Sequence, residues 1–113
     1  MNIKINMASE NNNSLHTKIL NVITRVPFGK VATYGQIASE VSLRDSRTVG
    51  YALSSLKYKS NSQVPWHRIV NRFGKVSLRD KDSMEHQIKL LEEEGIIFDS
   101  DGSIDLDKFG WEY

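Results

Sequence analysis

The chain of 113 residues has a net charge of +1, no cysteine and 39% hydrophobic residues. This length predicts one small domain with a single core, and the lack of cysteine excludes a disulfide framework. We see no apolar run of transmembrane length and no signal peptide near Met1, so we expect neither a membrane protein nor a secreted one. An intracellular protein is expected, nuclear in a eukaryote or cytoplasmic in a prokaryote.

Charge is distributed unevenly along the chain. Residues 14–81 hold twelve Lys and Arg against three acids, whereas residues 82–113 hold two Lys against ten acids. A local excess of positive charge favours a polyanion partner even when the total charge is near zero. Charge alone leaves two interpretations open, a nucleic-acid surface and ordinary solvated faces.

The N-terminal third predicts a tail and a first helix. Residues 1–13 are rich in Asn and lack a hydrophobic period, so we expect a mobile tail there and a domain over 14–113. Apolar residues then recur at steps of three and four from Leu15 to Val26, which predicts a helix that Pro27 ends.

The next two predicted helices are short and are joined by a tight turn. The first spans Tyr34 to Val41 with Thr33 as its N-cap, and the second runs from about Ser46 to Lys57. Two such helices form a helix-turn-helix, a motif that binds DNA.

The C-terminal half predicts small β elements and one longer helix. Lys75 to Leu78 reads as a short returning strand, and Asp82 and Glu85 read as the capping box of a helix that ends at Glu94. Residues 96–106 read as a small hairpin. The fold class is therefore expected to be mainly α with small β elements, a winged-helix-like or helix-turn-helix DNA-binding domain.

Three sequence motifs together indicate a family resemblance. They are Val31-Ala32-Thr33-Tyr34-Gly35-Gln36-Ile37-Ala38, Arg47-Thr48-Val49-Gly50 and Pro65-Trp66-His67-Arg68-Ile69-Val70. In this order and spacing they resemble the C-terminal domain of the O6-alkylguanine-DNA alkyltransferases, in which the cysteine of a Pro-Cys-His-Arg motif accepts an alkyl group. Here Trp66 takes the place of that cysteine. An indole N–H has no accessible nucleophilic lone pair, so the chain resembles the alkyltransferase-like proteins, which bind the lesion and lack the acceptor.

The resemblance implies roles for residues of the helix-turn-helix. Tyr34 matches the tyrosine that presses on the phosphate of the rotated nucleotide, and Arg47 matches the arginine that fills the vacated place in the base stack. The alternatives are a core tyrosine and a solvated arginine. Gly50 either lets the helix approach the duplex closely or packs against another helix. The DNA-binding surface is expected to include also Thr33, Ser46 and Thr48.

The resemblance also implies a pocket for the alkylated base. Trp66 either packs against the lesion or only fills the former active site. Arg79 lies in the loop that closes over the guanine, where it grades adducts by cation–π attraction or forms a surface salt bridge. His67 and Glu94 match the pair that activates the thiol, and without a thiol we expect them to be structural hydrogen-bonding residues. The remaining expected pocket residues are Val64, Pro65, Arg68 and Ser77.

Taken together, the resemblance implies a non-enzymatic protein that binds O6-alkylguanine in double-stranded DNA from the minor groove and rotates the nucleotide out. It also implies nucleotide-excision-repair proteins as partners. We expect a monomer without a cofactor, and the histidines show no metal-ligand spacing, so we expect no metal. One alternative is a helix-turn-helix transcriptional regulator without lesion specificity, although the second helix is poor in base-reading side chains. Another is a hydrolase that uses His67 and Glu94, although no nucleophile is recognisable.

Overall fold

The computed structural model describes residues 15–58, 63–78 and 80–112, and within them it is mainly helical. The expected tail at residues 1–13 and Arg79 lie outside the described residues. The helices are α1 over residues 15–24, α2 (Tyr34–Glu40), α3 (Arg47–Ser54), α4 (Lys81–Glu93) and α5 (Leu106–Phe109), with 3₁₀ helices at Ser55–Tyr58 and Trp66–Arg68 and strands β1 (Ala32–Thr33) and β2 (Ile69–Val70). The expected fold class is confirmed.

Helices α2 and α3 form the expected helix-turn-helix. Thr33 is the N-cap of α2: its hydroxyl accepts from the N–H of Gln36 at 3.0 Å, and the Gln36 side chain accepts from the N–H of Thr33 at 3.3 Å. This reciprocal capping box satisfies two backbone donors that the first helical turn leaves unpaired. Helix α3 begins at Arg47 and ends at Ser54, so the prediction that it continues to Lys57 was wrong by one turn, which is a 3₁₀ turn instead.

The short parallel sheet determines where the motifs meet. Ala32 pairs with Ile69 and Thr33 pairs with Val70. Because β1 leads directly into α2 and β2 directly follows the 3₁₀ helix Trp66–Arg68, this pairing places the helix-turn-helix beside the Pro-Trp-His-Arg segment. The larger core cluster is formed by Ile19, Val22, Ile23, Val26, Ala32, Ile37, Ala38, Val49, Ala52 and Ile69. The smaller one is formed by Val31, Val70, Leu91, Ile96 and Ile104.

The predicted returning strand at Lys75–Leu78 was wrong. β2 pairs with β1, and the turn that follows β2 directs the chain elsewhere: the side-chain oxygen of Asn71 accepts from the N–H groups of Phe73 and Lys75 at 2.9 and 3.0 Å. The carbonyl of Gly74 then accepts from the N–H of Ile104 at 2.8 Å. The turn is thus fixed to the C-terminal region rather than to a strand partner for residues 75–78.

The predicted start of α4 also needs correction. Its N-cap is Asp80, whose carboxylate accepts from the N–H groups of Asp82 and Ser83 at 3.4 and 3.2 Å. The helix therefore begins at Lys81, and Asp82 lies in its first turn rather than capping it with Glu85. An acidic residue in the first turn still interacts favourably with the helix dipole.

The predicted hairpin over residues 96–106 is reduced to one antiparallel bridge between Phe98 and Ile104. Its second arm is cut short because the Asp105 carboxylate accepts from the N–H of Asp107 at 3.0 Å and caps α5, which begins at Leu106. Beyond α5, the N–H of Trp111 donates to the carbonyl of Val31 at 2.7 Å, so the end of the chain packs beside β1. In the described ranges, no helix is long and apolar enough to cross a membrane.

Candidate nucleic-acid interface

A cleft of about 1080 Å³ opens between the helix-turn-helix and the Pro-Trp-His-Arg segment. Sites that bury a small molecule have volumes of about 300–1,000 Å³, so this cleft has room for a nucleotide. Its lining comes from α2, α3, the two 3₁₀ helices, the chain that follows β2 and one face of α4. The lining residues are Tyr34, Gly35, Ser46, Arg47, Gly50, Tyr51, Leu53, Ser54, Leu56, Trp66, Asn71, Arg72, Ser77, Leu78, Ser83, His86 and Gln87.

The cleft brings together six of the residues expected from the sequence and leaves seven others outside its lining. Those that line it are Tyr34, Ser46, Arg47, Gly50, Trp66 and Ser77. Those that do not are Thr33, Thr48, Val64, Pro65, His67, Arg68 and Glu94. Arg79 is not among the described residues. The cleft therefore unites residues of the helix-turn-helix with Trp66 and Ser77, whereas the rest of the Pro-Trp-His-Arg segment does not line it.

Trp66 is half-buried, and its ring faces two histidines. The Trp66 and His67 ring centroids are 5.9 Å apart at 82°, and those of Trp66 and His86 are 5.8 Å apart at 37°. The first is an edge-to-face arrangement, which aromatic rings favour. These two ring contacts position the indole, which lines the cleft.

Gln87 fixes the backbone that carries Trp66. Its side chain is 2% exposed, and its amide N–H₂ donates to the carbonyls of His67 at 2.9 Å and Ile69 at 3.0 Å. A buried amide with both donors satisfied attaches α4 to the segment around Trp66 without a desolvation penalty. Gln87 therefore orients Trp66 indirectly.

Glu94 joins three parts of the chain behind the cleft. Its carboxylate is 2.6 Å from Nε2 of His67, accepts from Arg68 at 2.9, 3.0 and 3.1 Å, and accepts from the N–H of Gly29 at 2.8 Å. The Arg68 guanidinium also donates to the carbonyl of Val26 at 2.8 Å. His67 and Glu94 thus form the hydrogen-bonded pair that the sequence suggested, and Arg68 is its third member.

Hydrogen bonds stabilise the ionised form of Glu94. Burial raises the pKa of Glu94, but hydrogen bonds from Arg68, Gly29 and His67 outweigh burial, so the pKa lies below its ordinary value. Its side chain is 7% exposed. A charge this buried is stable because it is fully hydrogen-bonded.

Tyr34 lies at the mouth of the cleft, half-buried against the larger core. Burial raises the pKa of Tyr34, and a hydrogen bond with the side chain of Ser77 partly opposes this. Tyr34 packs against the larger core and also lines the cleft, and its contact with a DNA phosphate stays a prediction. A neutral phenol is suited to donate a hydrogen bond to a phosphate oxygen.

Helix α3 lines the cleft with Arg47, Gly50 and Tyr51. A Cβ added at Gly50 would meet nothing within 4 Å, so packing against another helix does not explain this glycine. Arg47 precedes it at the first turn, and its side chain is 78% exposed. Tyr51 follows, one helical turn after Arg47, and is 65% exposed. The face combines a cation, an open backbone and an aromatic ring.

Arg47 is engaged by Asp45 across the start of α3. The Asp45 carboxylate accepts from the backbone N–H of Arg47 at 2.8 Å and from its Nε at 2.7 Å, and lies 2.6 Å from Nη2. These hydrogen bonds lower the pKa of Asp45. The Ser46 side chain makes no capping bond, and Asp45 binds the first N–H of α3 instead.

Sequence reasoning missed eleven of the lining residues, and three of these, Tyr51, Arg72 and His86, carry an aromatic ring or a cation. Tyr51 carries a usable signal, since it lies four positions after Arg47 on the same helix face. Arg72 follows β2 in a turn, where its guanidinium lies 4.7 Å from the Phe73 ring centroid. His86 was considered only as a metal ligand, and its place beside Trp66 depends on how α4 packs, which no local pattern predicts.

The family model for the DNA-binding domain of 6-O-methylguanine DNA methyltransferase matches residues 14–96. The chain belongs to this family. It is a member of the alkyltransferase-like type, with Trp66 in place of the acceptor cysteine.

Relatives and solved structures agree with this assignment. The DNA base-flipping protein of Escherichia coli (strain K12) is 36% identical over 105 residues, 92% of this chain and 79% of the relative. Alkyltransferase-like protein 1 of Schizosaccharomyces pombe is 41% identical over 83 residues, 72% of this chain and 75% of the relative. The crystal structure of S. pombe Atl1 in complex with damaged DNA containing O6-carboxymethylguanine matches with a TM-score of 0.79 at 34% identity, covering 89% of this chain and 97% of that one.

Metal-ligating side chains do not gather near the cleft. Among the described residues, no group of three or more His, Asp or Glu side chains is placed to hold a metal ion.

Proposed function

We propose that this protein is a non-enzymatic DNA-damage recognition protein that binds O6-alkylguanine in duplex DNA. In the proposed complex, α2 and α3 approach the minor groove and the alkylated nucleotide rotates into the cleft. The observation that carries this proposal is that Trp66 lines the same cleft as Tyr34 and Arg47. A base-stacking surface thus adjoins a phosphate-directed hydroxyl and an exposed cation.

Energetics favour a damaged base as the occupant. Rotating a nucleotide out of the duplex costs a few kcal/mol and costs least where the base pair is already weakened. The face of Trp66 offers stacking worth about 1–3 kcal/mol per base, and Arg47 is planar and charged, as a substitute for the missing base must be. The open space at Gly50 permits close approach of α3 to the groove floor.

Alkyl transfer to this chain is not part of the proposal. The position of the acceptor holds Trp66, and the 113 residues contain no cysteine. A thiolate is the nucleophile that such a transfer requires. His67 is bound to Glu94 behind the cleft, so the pair supports the fold of the segment rather than reacting with DNA.

The relatives support lesion binding by their names and complexes. One is named a DNA base-flipping protein, and the matched Atl1 structure holds damaged DNA with O6-carboxymethylguanine. We propose that the bound lesion is then passed to nucleotide-excision-repair proteins inside the cell, because a protein that binds an adduct without removing it requires a second activity. We also propose that the protein acts as a monomer. An incision assay with purified excision-repair proteins, with and without this chain, tests the partnership.

Fluorescence anisotropy at a stated salt concentration tests the central proposal. Wild-type protein should bind a duplex containing O6-methylguanine more tightly than the same duplex with guanine, and should slow repair of that duplex by an authentic alkyltransferase. Equal affinity for both duplexes, with tighter binding to one particular sequence, would support the alternative of a transcriptional regulator. Release of alkyl label into solution would point to a hydrolase.

A further inference from the structure

The side chain of Arg47 is held in place although it is exposed. Three contacts of 2.6 to 2.8 Å attach it and its backbone N–H to the carboxylate of Asp45. Oδ1 of Asp45 binds the backbone, and Oδ2 binds the guanidinium. Holding the helix start requires only the first of these. The second holds the guanidinium against Asp45 at the N-terminal end of α3, where Arg47 lines the cleft.

A carboxylate at this position has a cost for a DNA-binding protein. Asp45 is two residues from Arg47 on the surface that faces the duplex, and its side chain is 49% exposed. A negative charge there repels phosphates and cancels part of the attraction that Arg47 provides. The chain contains the same local turn without an arginine at Asp101, whose carboxylate accepts from the N–H and hydroxyl of Ser103 at 3.0 and 2.6 Å.

We propose that Asp45 is a positioning residue that sets the threshold for nucleotide rotation by holding Arg47 outside the base stack. This inference rests on the proposed function. Arg47 must leave Asp45 before it can replace a base, so the pair opposes the rotated state in every duplex. A base that leaves the stack easily, as an alkylated guanine does, still reaches the rotated state in spite of the Asp45–Arg47 pair. Undamaged DNA stays stacked while the protein searches.

The balance of the two states shows where the effect is measurable. The Asp45–Arg47 pair lowers the ratio of rotated to stacked complex by the same factor in damaged and in undamaged DNA. A lesion complex that is almost fully rotated changes little when that factor is removed. An undamaged complex, in which rotation is rare, gains rotated population nearly in proportion.

Asp45→Asn is the appropriate variant. Asparagine keeps Oδ1 as an acceptor for the N–H of Arg47 and is as good as aspartate at helix starts, but it has no charge to retain the guanidinium. The probe is a duplex with 2-aminopurine next to the target guanine or O6-methylguanine, because its fluorescence rises when a neighbouring base leaves the stack. Measurements use saturating protein. Asp101→Asn is the matched control, with equal charge loss in the same kind of turn.

We expect Asp45→Asn to raise the rotated fraction in undamaged duplex about two- to fivefold, the range for losing an exposed ion pair, with a much smaller relative change in lesion duplex. Asp101→Asn should change neither. In an Arg47→Ala background, Asp45→Asn should no longer change the rotated fraction, because Asp45 acts through Arg47.

Three results would overturn the inference: no rise in undamaged duplex, the same rise with Asp101→Asn, or a rise that persists without Arg47. The last would mean that Asp45 only repels phosphates. Failure of the proposed function would look different, because wild-type protein itself would then show no rotation and no preference for the lesion.

Discussion

Replacing Glu94 by glutamine tests whether the cluster behind Trp66 holds the cleft together. The Glu94 side chain is 7% exposed and the Arg68 side chain 16% exposed. Glutamine keeps the size and one acceptor oxygen of Glu94 but removes its charge. Arg68 then keeps its bond to the carbonyl of Val26 and loses its counterion.

The expected loss of stability follows from this geometry. Removing one partner of a buried ion pair costs about 3–5 kcal/mol, because the other charge is left buried and unpaired. Since Arg68 keeps one hydrogen bond and some contact with water, we expect a loss of about 3 kcal/mol, the lower end of that range. Such a loss is a large part of the total stability of a small domain. Urea unfolding followed by the fluorescence of Trp66 and Trp111 measures it.

The control for this variant is Glu92→Gln. Glu92 lies two residues earlier and is exposed, so its replacement should change the free energy of unfolding by no more than about 0.5 kcal/mol. A loss of stability below about 1 kcal/mol for Glu94→Gln would refute the reasoning. It would mean that water solvates the Arg68 guanidinium in the variant and that solvent screens the ion pair in the wild type.

The stability difference between wild type and Glu94→Gln should also depend on pH. The pKa of Glu94 is lowered in the folded protein, whereas an unfolded glutamate titrates near about 4.3. The stabilising contribution is therefore complete above the unfolded pKa and disappears as the pH falls through the lower, folded pKa. The contribution of Glu94 to the difference should shrink as the pH falls below about 4. A difference that does not change on acidification would contradict the assignment.

Five further variants test the face of the cleft. Arg47→Ala and Arg72→Ala should each reduce the salt dependence of DNA binding by about one charge. Only Arg47→Ala should abolish the preference for lesion duplex in anisotropy titrations. Equal loss of preference in both variants would mean that Arg47 only contacts the phosphate backbone of the DNA. Gly50→Ala should stabilise α3 by up to about 1 kcal/mol in urea, while Gly50→Leu weakens DNA binding; unchanged binding by the leucine variant would mean that α3 stays away from the groove. After incubation of Trp66→Cys with O6-methylguanine duplex, mass spectrometry should detect little or no methyl group on the protein. The reason is that a misplacement of the attacking thiol by about 1 Å costs roughly 100-fold in rate. Rapid stoichiometric methylation would show that only the thiol was missing.

Much of the fold could be predicted because its signals are local. Thr33 and Gln36 form the capping box of α2 within four residues, and the apolar spacing of the helix-turn-helix depends on neighbouring turns. The motif order then placed Tyr34, Arg47 and Trp66 on one surface. These predictions needed no information about the packing between distant segments.

The errors arose where distant contacts decide local structure. Lys75–Leu78 has strand-like residues, but β2 pairs with β1, which lies more than thirty residues earlier. Asp80 and Asp82 are both good helix caps, and the sequence alone does not say which of them the chain turns at. Where a segment can adopt two local structures, contacts with the rest of the fold determine which one forms.

The same limit applies to the site. The pairing of Glu94 with both His67 and Arg68 joins residues 26 and 27 positions apart, and the contact of His86 with Trp66 depends on the rotation of α4. The bond between Asp45 and Arg47 is local, yet it depends on a rotamer that composition does not reveal. The sequence therefore predicted the residue types at the cleft better than the bonds that hold them.

The ratio of dissociation constants for undamaged and O6-methylguanine duplexes of one sequence, measured at one salt concentration, tests the central claim most directly. A cleft that accepts the rotated lesion predicts at least about tenfold tighter binding to the damaged duplex, equivalent to about 1.4 kcal/mol, and loss of that ratio in Trp66→Ala. A ratio near one in the wild-type protein, at any salt concentration that permits binding, would contradict the account.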